Sequence, residues 1–281
     1  MVFPWLPSPL ACQRKDPPMQ QFEHQEVADY LFNSLRLRTV PLAVKFLEHS
    51  EFPEKTKKPS LHLGHRVTLC QGVTLARVYG WMVGLAKEDL ICVPAMVAFG
   101  FSGTGKQQEI LSRILCGGTL ASGEETAKLE IGAMSLFPRG TYASVLLSPL
   151  AKAPFAPDIV TMYGNPAQIM RLVQAWTYAT GHRVEGNFGG KIECTEYLIA
   201  PFLNRRPRVA IPGNGDRIFS MTQDDEIVFS LPGEGLSPLV QGLKEAGRKI
   251  GARYPITFYQ KFQPEFPSLY GVVSKEFNVL D

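Results

Sequence analysis

The 281-residue sequence lacks the patterns that would place it in a membrane or a secretory pathway. No apolar run approaches the roughly 20 residues that a membrane-spanning helix needs. The first 21 residues hold five prolines and no continuous apolar core, so they do not form a secretory signal, and we expect a surface arm. We therefore expect a cytoplasmic protein without a membrane partner.

A strong excess of charge of one sign is also missing. The chain has 29 basic and 26 acidic residues, a net charge of +3, with both signs interspersed. A basic stripe, which nucleic-acid-binding proteins usually carry, is absent, so we expect no nucleic-acid partner. A hydrophobic content of 45% and a charged content of 20% are ordinary for a globular protein of one large or two small domains.

Familiar catalytic and cysteine motifs are absent too. The sequence has no HExxH zinc motif and no GxSxG nucleophile elbow. Its five cysteines form no CxxC pair, and an odd count in a chain of this length does not indicate a disulfide framework. In a reducing compartment the cysteines are therefore buried thiols, catalytic thiols or metal ligands.

Three of the cysteines stand where a polar segment meets an apolar one. Cys70 lies at the entrance of a predicted helix, Cys92 opens a predicted strand, and Cys194 follows a turn at Gly189 and Gly190. Helix N-termini stabilise thiolates, which are the soft ligands that iron–sulfur clusters and zinc require. The three thiols are predicted to converge on one metal site, either a [4Fe-4S] cluster with one open iron or a zinc ion with one water. The alternative is that they are three ordinary buried thiols.

Other residues are candidates for supporting roles. His65 is a candidate fourth ligand, whereas Cys12 and Cys116 are predicted to lie outside the site. The segment 212–217 follows a predicted strand, and its two glycines favour a backbone nest that binds an anion, with Arg217 as a bidentate clamp. The alternative for this segment is a simple tight turn. The predicted substrate-binding residues are Gly213, Asn214, Asp216 and Arg217. The acidic run 223–226 is either a general acid or base, a set of hard-metal ligands, or solvated surface.

Hydrophobic periodicity predicts alternating helices and strands. The predicted helices cover 22–35, 68–83, 107–115, 124–134, 167–180 and 236–250. The predicted strands cover 41–47, 91–101, 142–147, 158–164, 207–212 and 226–231, and 48–64 is a predicted surface loop. Several strands are joined by connections too short for a crossover, so we expect an α/β fold with a mixed parallel and antiparallel sheet, and two related halves remain an open alternative. The predicted organisation is an arm (1–21), one domain (22–253) with a sub-boundary near 149–157, and an aromatic tail (254–281).

Several short segments together resemble the DUF169 family of uncharacterised bacterial and archaeal proteins. They are Leu69-Cys70-Gln71, Ala76-Arg77, Tyr79-Gly80-Trp81, Glu88-Asp89-Leu90-Ile91-Cys92, Ser148-Pro149-Leu150, Pro157-Asp158-Ile159-Val160, Pro166-Ala167-Gln168, Cys194, the segment 212–217 and Asp225-Glu226. The resemblance spans about 35–251 and implies one family unit. Members of the family are cysteine-bearing proteins, many from anaerobes, and the three junction cysteines fall at positions that look like part of that pattern.

Three hypotheses follow. In the first, Cys70, Cys92 and Cys194 hold a [4Fe-4S] cluster, with Gln71 beside it, and the open iron acts on a small polar or anionic substrate in a lyase or oxidoreductase reaction. In the second, a non-catalytic or redox-sensing protein holds haem, zinc or another ligand in the same pocket, and the aromatic tail mediates homo-oligomerisation. In the third, the metal is structural zinc, which usually requires paired CxxC motifs and four ligands.

Overall fold

A computed structural model describes residues 21–101 and 106–256. The helices are α1 (Gln21–Leu35), α2 (Pro59–His62), α3 (Leu69–Arg77), α4 (Val93–Ala98), α5 (Gln107–Gly117), α6 (Glu124–Ala133), α7 (Pro166–Thr180), α8 (Ala200–Asn204), α9 (Asn214–Phe219) and α10 (Leu236–Glu245). The strands are β1 (Leu42–Leu47), β2 (Val83–Ala86), β3 (Ser144–Pro149), β4 (Ile159–Gly164), β5 (Glu185–Gly186), β6 (Arg208–Ala210) and β7 (Ile227–Pro232). The predicted arm, apart from Gln21, and the predicted tail beyond Ile256 lie outside the described residues. None of the helices in these two ranges is long and apolar enough to cross a membrane.

The strands form one sheet in the order β2-β3-β1-β4-β7-β6-β5. Neighbouring strands are antiparallel except for β5 and β6, which are parallel. The predicted α/β fold with a mixed sheet is confirmed. The segment 149–157, predicted as a sub-boundary, is the short connection between β3 and β4, and both of these strands pair with β1.

Side chains of the central strands alternate between two hydrophobic cores, one on each face of the sheet. On β1, Val44 and Phe46 join the core that includes the buried faces of α3 and α4. Ala43, which directly precedes Val44, joins the core formed with α1, α7 and α10, together with Val160 and Met162 of β4. The three junction cysteines lie on the α3 and α4 side, where Cys194 belongs to the core and Cys92 packs against it.

Local signals in the sequence explain why α7 begins and ends where it does. The Asn165 side chain accepts a hydrogen bond from the backbone N–H of Gln168 at 2.9 Å, and the Gln168 side chain accepts one from the backbone N–H of Asn165 at 2.7 Å. Pro166 takes the first helical position, where its missing N–H costs nothing. Gly181 ends the helix in the left-handed region, with φ of 74°. The predicted helix is confirmed.

The prediction of a buried strand over 91–101 is wrong, because this apolar run folds as α4. Cys92 is the residue immediately before that helix, and Pro94 lies in its first turn. Ile91 is 61% exposed, which a strand buried on both faces would not allow. Short apolar runs suit a buried strand or a buried helix equally well, so periodicity could not separate them.

Further boundaries differ from the predictions, and two of them bear on the site. The helix predicted over 68–83 ends at Arg77, and its predicted last residue, Val83, instead begins β2, which pairs with β3. The segment 212–217, predicted as an anion-binding loop, instead leads into the short helix α9.

Gly72 lets α3 lie directly on the sheet, since a Cβ at this position would be 2.5 Å from Cδ1 of Leu85 in β2.

Candidate functional site

Cys70 is the second residue of α3, and a capping box fixes where that helix begins. The Thr68 hydroxyl accepts a hydrogen bond from the backbone N–H of Gln71 at 3.0 Å. The Gln71 side-chain oxygen accepts one from the backbone N–H of Thr68 at 2.8 Å. The pair satisfies two backbone donors that would otherwise lack partners, so the predicted neighbour of the cofactor, Gln71, has its side-chain oxygen engaged in the cap.

Cys92 is brought towards Cys70 by pairing between two backbone segments. The backbone N–H of Val67 donates to the carbonyl oxygen of Asp89 at 2.9 Å, and that of Ile91 donates to the carbonyl oxygen of Val67 at 2.9 Å. The residues that lead into α3 therefore run beside the residues that lead into α4. Because each cysteine lies at the start of its helix, this pairing places both at the same end of the two helices.

Cys194 comes from the second half of the chain and is buried. It precedes a π-helical turn, Thr195–Ile199, which is a rare local structure that the sequence analysis did not anticipate. The Glu193 carboxylate accepts hydrogen bonds from the backbone N–H groups of Gly189, at 2.6 Å, and Gly190. These two hydrogen bonds hold the predicted turn at Gly189 and Gly190 against Glu193, just before the π-helical turn.

Asp216 in α9 links the segments that carry Cys70 and Cys194. Its buried carboxylate accepts a hydrogen bond from the Tyr197 hydroxyl at 2.8 Å and one from the backbone N–H of Gly213 at 3.1 Å. The Cys70 thiol also donates to it. Because Tyr197 follows Cys194 by three residues, this one carboxylate contacts groups from both segments.

The glycines at the start of α9 allow close packing around the thiols. A Cβ added to Gly215 would lie 3.6 Å from Sγ of Cys70, and one added to Gly213 would lie 3.1 Å from the carbonyl oxygen of Gly190. The backbone N–H of Asn214 donates to that same Gly190 oxygen at 3.1 Å. Glycine at positions 213 and 215 therefore lets the start of α9 pack closely against the segments that contain Cys70 and Gly190.

The structure brings Cys70, Cys92 and Cys194 together, close enough to act on one another electrostatically. Burial is the main cause that raises the pKa of Cys70, and Asp216, Cys194 and Cys92 add to it in that order. Burial also raises the pKa of Cys194 well above its usual value, followed by Cys92 and Asp216. Burial raises the pKa of Cys92 as well, opposed by nearby backbone N–H groups. The three thiols are therefore protonated at neutral pH, unlike activated cysteine nucleophiles.

Three of the four donors here are thiols, which are the soft ligands that an iron–sulfur site requires, and the fourth is a carboxyl group. Within residues 21–101 and 106–256, no three or more His, Cys, Asp or Glu side chains are arranged to hold a single metal ion. Such an ion would have to lie about 2.3 Å from every sulfur. A four-iron cluster has no such requirement, because each cysteine binds a different iron.

A buried ion pair between Arg77 and Glu226 involves the same helix, α3, that carries Cys70. Arg77 follows Cys70 by seven residues on α3, and its guanidinium lies 3.3 Å from the Glu226 carboxylate. It also donates to the carbonyl oxygen of Ser220 at 3.0 Å and lies 4.0 Å from the centre of the Tyr163 ring. Both charged side chains are at most 2% exposed, so the pair is shielded from solvent.

Tyr163 carries an unusual buried hydroxyl. Its ring packs edge-on against the ring of Tyr197, with centroids 6.2 Å apart. Its hydroxyl makes no hydrogen bond of normal geometry to a described residue. Burial raises the pKa of this hydroxyl well above its usual value and the Asp216 carboxyl adds to the shift, whereas Arg77 and a contact with the Tyr197 hydroxyl oppose it.

Comparison with known proteins places this site within a family. A family model described as DUF169, uncharacterised ArCR, COG2043, matches residues 30–242. The chain belongs to this family. The resemblance seen in the sequence is confirmed, and the match includes all three junction cysteines.

The DUF169 chain is also similar to the uncharacterized protein MJ0308 of Methanocaldococcus jannaschii. The two are 30% identical over 122 residues, which is 43% of this chain and 52% of that protein. The chain thus spans about half the length of the curated relative it matches. No solved structure matches the chain.

The other predicted site residues of the DUF169 chain lie further out. The Arg217 guanidinium donates to the carbonyl oxygen of Gln223 at 2.8 Å on the exposed side of α9, and its role in substrate binding stays a prediction. Asn214 and His65 are exposed. Within the acidic run, Asp225 forms a bidentate pair with Arg38 at 2.6 and 2.8 Å on the surface.

Four residues of the DUF169 site were not among the predicted site residues: Arg77, Tyr163, Glu193 and Tyr197. Helical spacing from a cysteine could have pointed to two of them, since Arg77 lies two turns after Cys70 and Tyr197 lies one turn after Cys194. Glu193 is adjacent to Cys194 in the sequence. No neighbouring residue in the sequence points to Tyr163, because the pairing of β4 within the sheet, and not local spacing, brings it to the site.

Glu193 should make the stability of the metal-free protein depend on pH. Burial raises the pKa of its carboxyl from 4.5 to about 7. A raised folded-state pKa gives stability that is complete below pH 4.5 and is lost as the pH rises to about 7. At ~1.4 kcal/mol per pKa unit the loss is ~3 kcal/mol at most, and we expect about 2 kcal/mol because the adjacent loop is exposed.

A comparison of the native protein with Glu193→Gln measures this effect. Glutamine keeps an acceptor for the two glycine N–H groups but does not ionise. Urea unfolding between pH 4.5 and 7.5 should show the native protein losing stability relative to the variant as the pH rises. Parallel pH profiles of the two proteins would contradict the assignment.

Proposed function

We propose that this DUF169 protein holds a [4Fe-4S] cluster through Cys70, Cys92 and Cys194 and uses the open iron on a small polar or anionic substrate. The observation that carries the proposal is that three thiols from three separate segments lie close enough to interact electrostatically with one another or with Asp216. Three soft donors suit a four-iron cluster that leaves one iron without a protein ligand. A reducing compartment such as the cytoplasm would keep these thiols free to bind it.

The protonation of the thiols favours metal binding over direct thiol chemistry. A thiol acts as a nucleophile only as the thiolate, and burial raises the pKa of all three cysteines. A metal centre replaces those protons with positive charge and so removes the cost of a buried thiolate. When bound, the cluster would supply a Lewis-acidic iron.

The surrounding residues would orient the ligands. Backbone N–H groups of Leu69 and Ala95, near the starts of α3 and α4, lower the pKa of Cys92 against the effect of burial, so they would stabilise its thiolate. Asp216 accepts a hydrogen bond from the Cys70 thiol, and the Tyr197 hydroxyl donates to the same carboxylate and holds it in place.

The substrate would meet the buried Tyr163 hydroxyl, which makes no hydrogen bond of normal geometry to a described residue. This hydroxyl favours a substrate with an oxygen acceptor, whereas the charge of Arg77, 4.0 Å from the same ring, is balanced by Glu226. The site therefore favours a polar molecule over an apolar one. A lyase or an oxidoreductase that acts on such a molecule fits the site.

Iron and sulfide analysis of the anaerobically purified and reconstituted protein tests the proposal. We expect about four irons and about four sulfides per chain. Cys194→Ala should lose most of both, because it removes one of three ligands. Cys116→Ala is the control: Cys116 is partly buried but packs in a separate core with Leu111 and Leu115, and its variant should keep the full content.

Two outcomes would overturn the cluster proposal. One is native protein without iron after reconstitution, and the other is equal loss of iron in the Cys194 and Cys116 variants. The proximity of the thiols also favours redox sensing, in which a disulfide oxidant takes two electrons and two protons from a pair of thiols. Iron-free protein in which oxidised glutathione protects two of the three site thiols from alkylation after denaturation would support that second function.

A further inference from the structure

A cavity of about 310 Å³ lies on the opposite face of the sheet from the thiols. Its walls come from α1, α7, α10 and the segment that follows α10. Leu35 and Leu243, which line it, belong to the core on that face. The cavity is therefore separate from the site described above, and its volume is at the lower end of the range for small-molecule sites.

The cavity lining is strongly basic. Four of its twelve lining residues are cationic, and none is acidic: Arg171, Lys244, Arg248 and Arg253. Arg248 pairs with Glu245 outside the lining at 3.1 Å, which neutralises part of this charge. The charges of Arg171 and Lys244 favour an anion inside the cavity.

Arg171 is the buried member of this group, at 4% exposure. Its guanidinium donates to the side-chain oxygen of Gln174 at 2.6 Å and to the carbonyl oxygen of Ala246 at 3.1 Å. These bonds use two of its five N–H donors. Both acceptors are neutral, and no carboxylate in the described residues pairs with this side chain. A buried cation without a counter-charge is costly, and a bound anion would remove that cost.

A second polar group in the cavity also lacks a partner. The Ser34 hydroxyl oxygen is buried and makes no hydrogen bond to any described residue. Next to it the lining is partly apolar, with the Tyr30 ring and Leu243. The Lys244 ammonium lies 5.1 Å from the centre of the Tyr30 ring, so the cavity offers a positive charge and an aromatic surface next to each other.

We propose that this cavity binds a small organic oxyanion, a phosphate or a carboxylate with a short apolar part. Arg171 and Ser34 donate hydrogen bonds to the oxyanion, Lys244 contributes charge, and Tyr30 and Leu243 contact the apolar part. A planar guanidinium with free N–H groups matches the geometry of either oxyanion. The site does not depend on the cluster proposal, because it shares none of the residues named for that function.

Calorimetric titration of the full chain at constant ionic strength tests the site with three probes. The probes are inorganic phosphate, phenyl phosphate and benzoate. We expect saturable binding of one equivalent of phenyl phosphate or benzoate, and weaker binding of inorganic phosphate because it lacks an apolar part. The tighter of the two aromatic probes identifies the oxyanion that the site prefers.

Variants connect the binding to the cavity. Lys244→Met should raise the Kd of the preferred probe roughly tenfold, because it removes a positive charge near the bound anion. Ser34→Ala should raise the Kd several-fold, because it removes a hydrogen-bond donor. Lys249→Met is the matched control, since Lys249 is an exposed lysine nearby that does not line the cavity. The first two variants do not touch the buried guanidinium, so both should fold. The proposal fails if no probe binds saturably at millimolar concentration, or if Lys249→Met weakens binding as much as Lys244→Met.

Discussion

Replacing Glu226 with glutamine is expected to lower the free energy of unfolding by about 3–5 kcal/mol, because the buried Arg77 guanidinium would lose its counter-charge. The two side chains are at most 2% exposed and lie 3.3 Å apart. We expect the lower end of the range, because the Ser220 carbonyl and the Tyr163 ring would still contact the guanidinium. Urea unfolding with linear extrapolation measures the loss.

An exposed ion pair provides the control for this prediction. Arg205 and Glu234 lie 3.0 Å apart but are 71% and 62% exposed. Glu234→Gln should therefore cost less than about 0.5 kcal/mol. The double variant Arg77→Met with Glu226→Leu should lose much less than the two single variants combined, since it leaves no unpaired charge. A Glu226 variant as stable as the Glu234 variant would show that the buried pair contributes little.

Replacing Gly242 with alanine should cost about 2–4 kcal/mol, because the backbones of α10 and α7 touch at this residue. An added Cβ would collide with the carbonyl oxygen of Ala175 and would lie 2.8 Å from its carbonyl carbon. Both atoms are backbone, so no side-chain rotation can relieve the clash. The two helices would have to separate, which would open the core that they share with Leu239 and Leu172.

Gly132 is the matched control for this substitution. It is also a helical glycine, in α6, but a Cβ there would meet no atom within 4 Å. Gly132→Ala should therefore leave the protein unchanged or raise its stability by up to about 1 kcal/mol, since alanine favours the helix. Thermal unfolding of both variants gives the comparison. A similar loss in both would show that Gly242 does not set the distance between the helices.

Much of the fold was predictable because its signals are local. The capping box and glycine stop of α7, and the apolar run of β4, depend only on neighbouring residues. The run 91–101 carried no such discriminating signal, since its length and composition suit either element. The π-helical turn after Cys194 has no sequence signature that we could use.

The positions of the three cysteines at element ends were predictable, but the surroundings of their thiols were not. Each of the three cysteines stands at an element end, which the sequence displays directly. That Asp216 accepts a hydrogen bond from Tyr197 depends on how α9 packs against the π-helical turn, and no spacing rule gives that. The partner of Arg77 is equally remote, because Glu226 lies 149 residues later in the chain.

The placement of the three cysteines has a consequence for how the protein matures. Cys70 and Cys92 emerge from the ribosome together, whereas Cys194 is synthesised much later and reaches them only through the sheet and its own π-helical turn. A nascent chain lacking β4 to β7 cannot present the third thiol beside the first two. Any inorganic centre held by all three thiols would therefore be completed only after the chain through Cys194 has been synthesised.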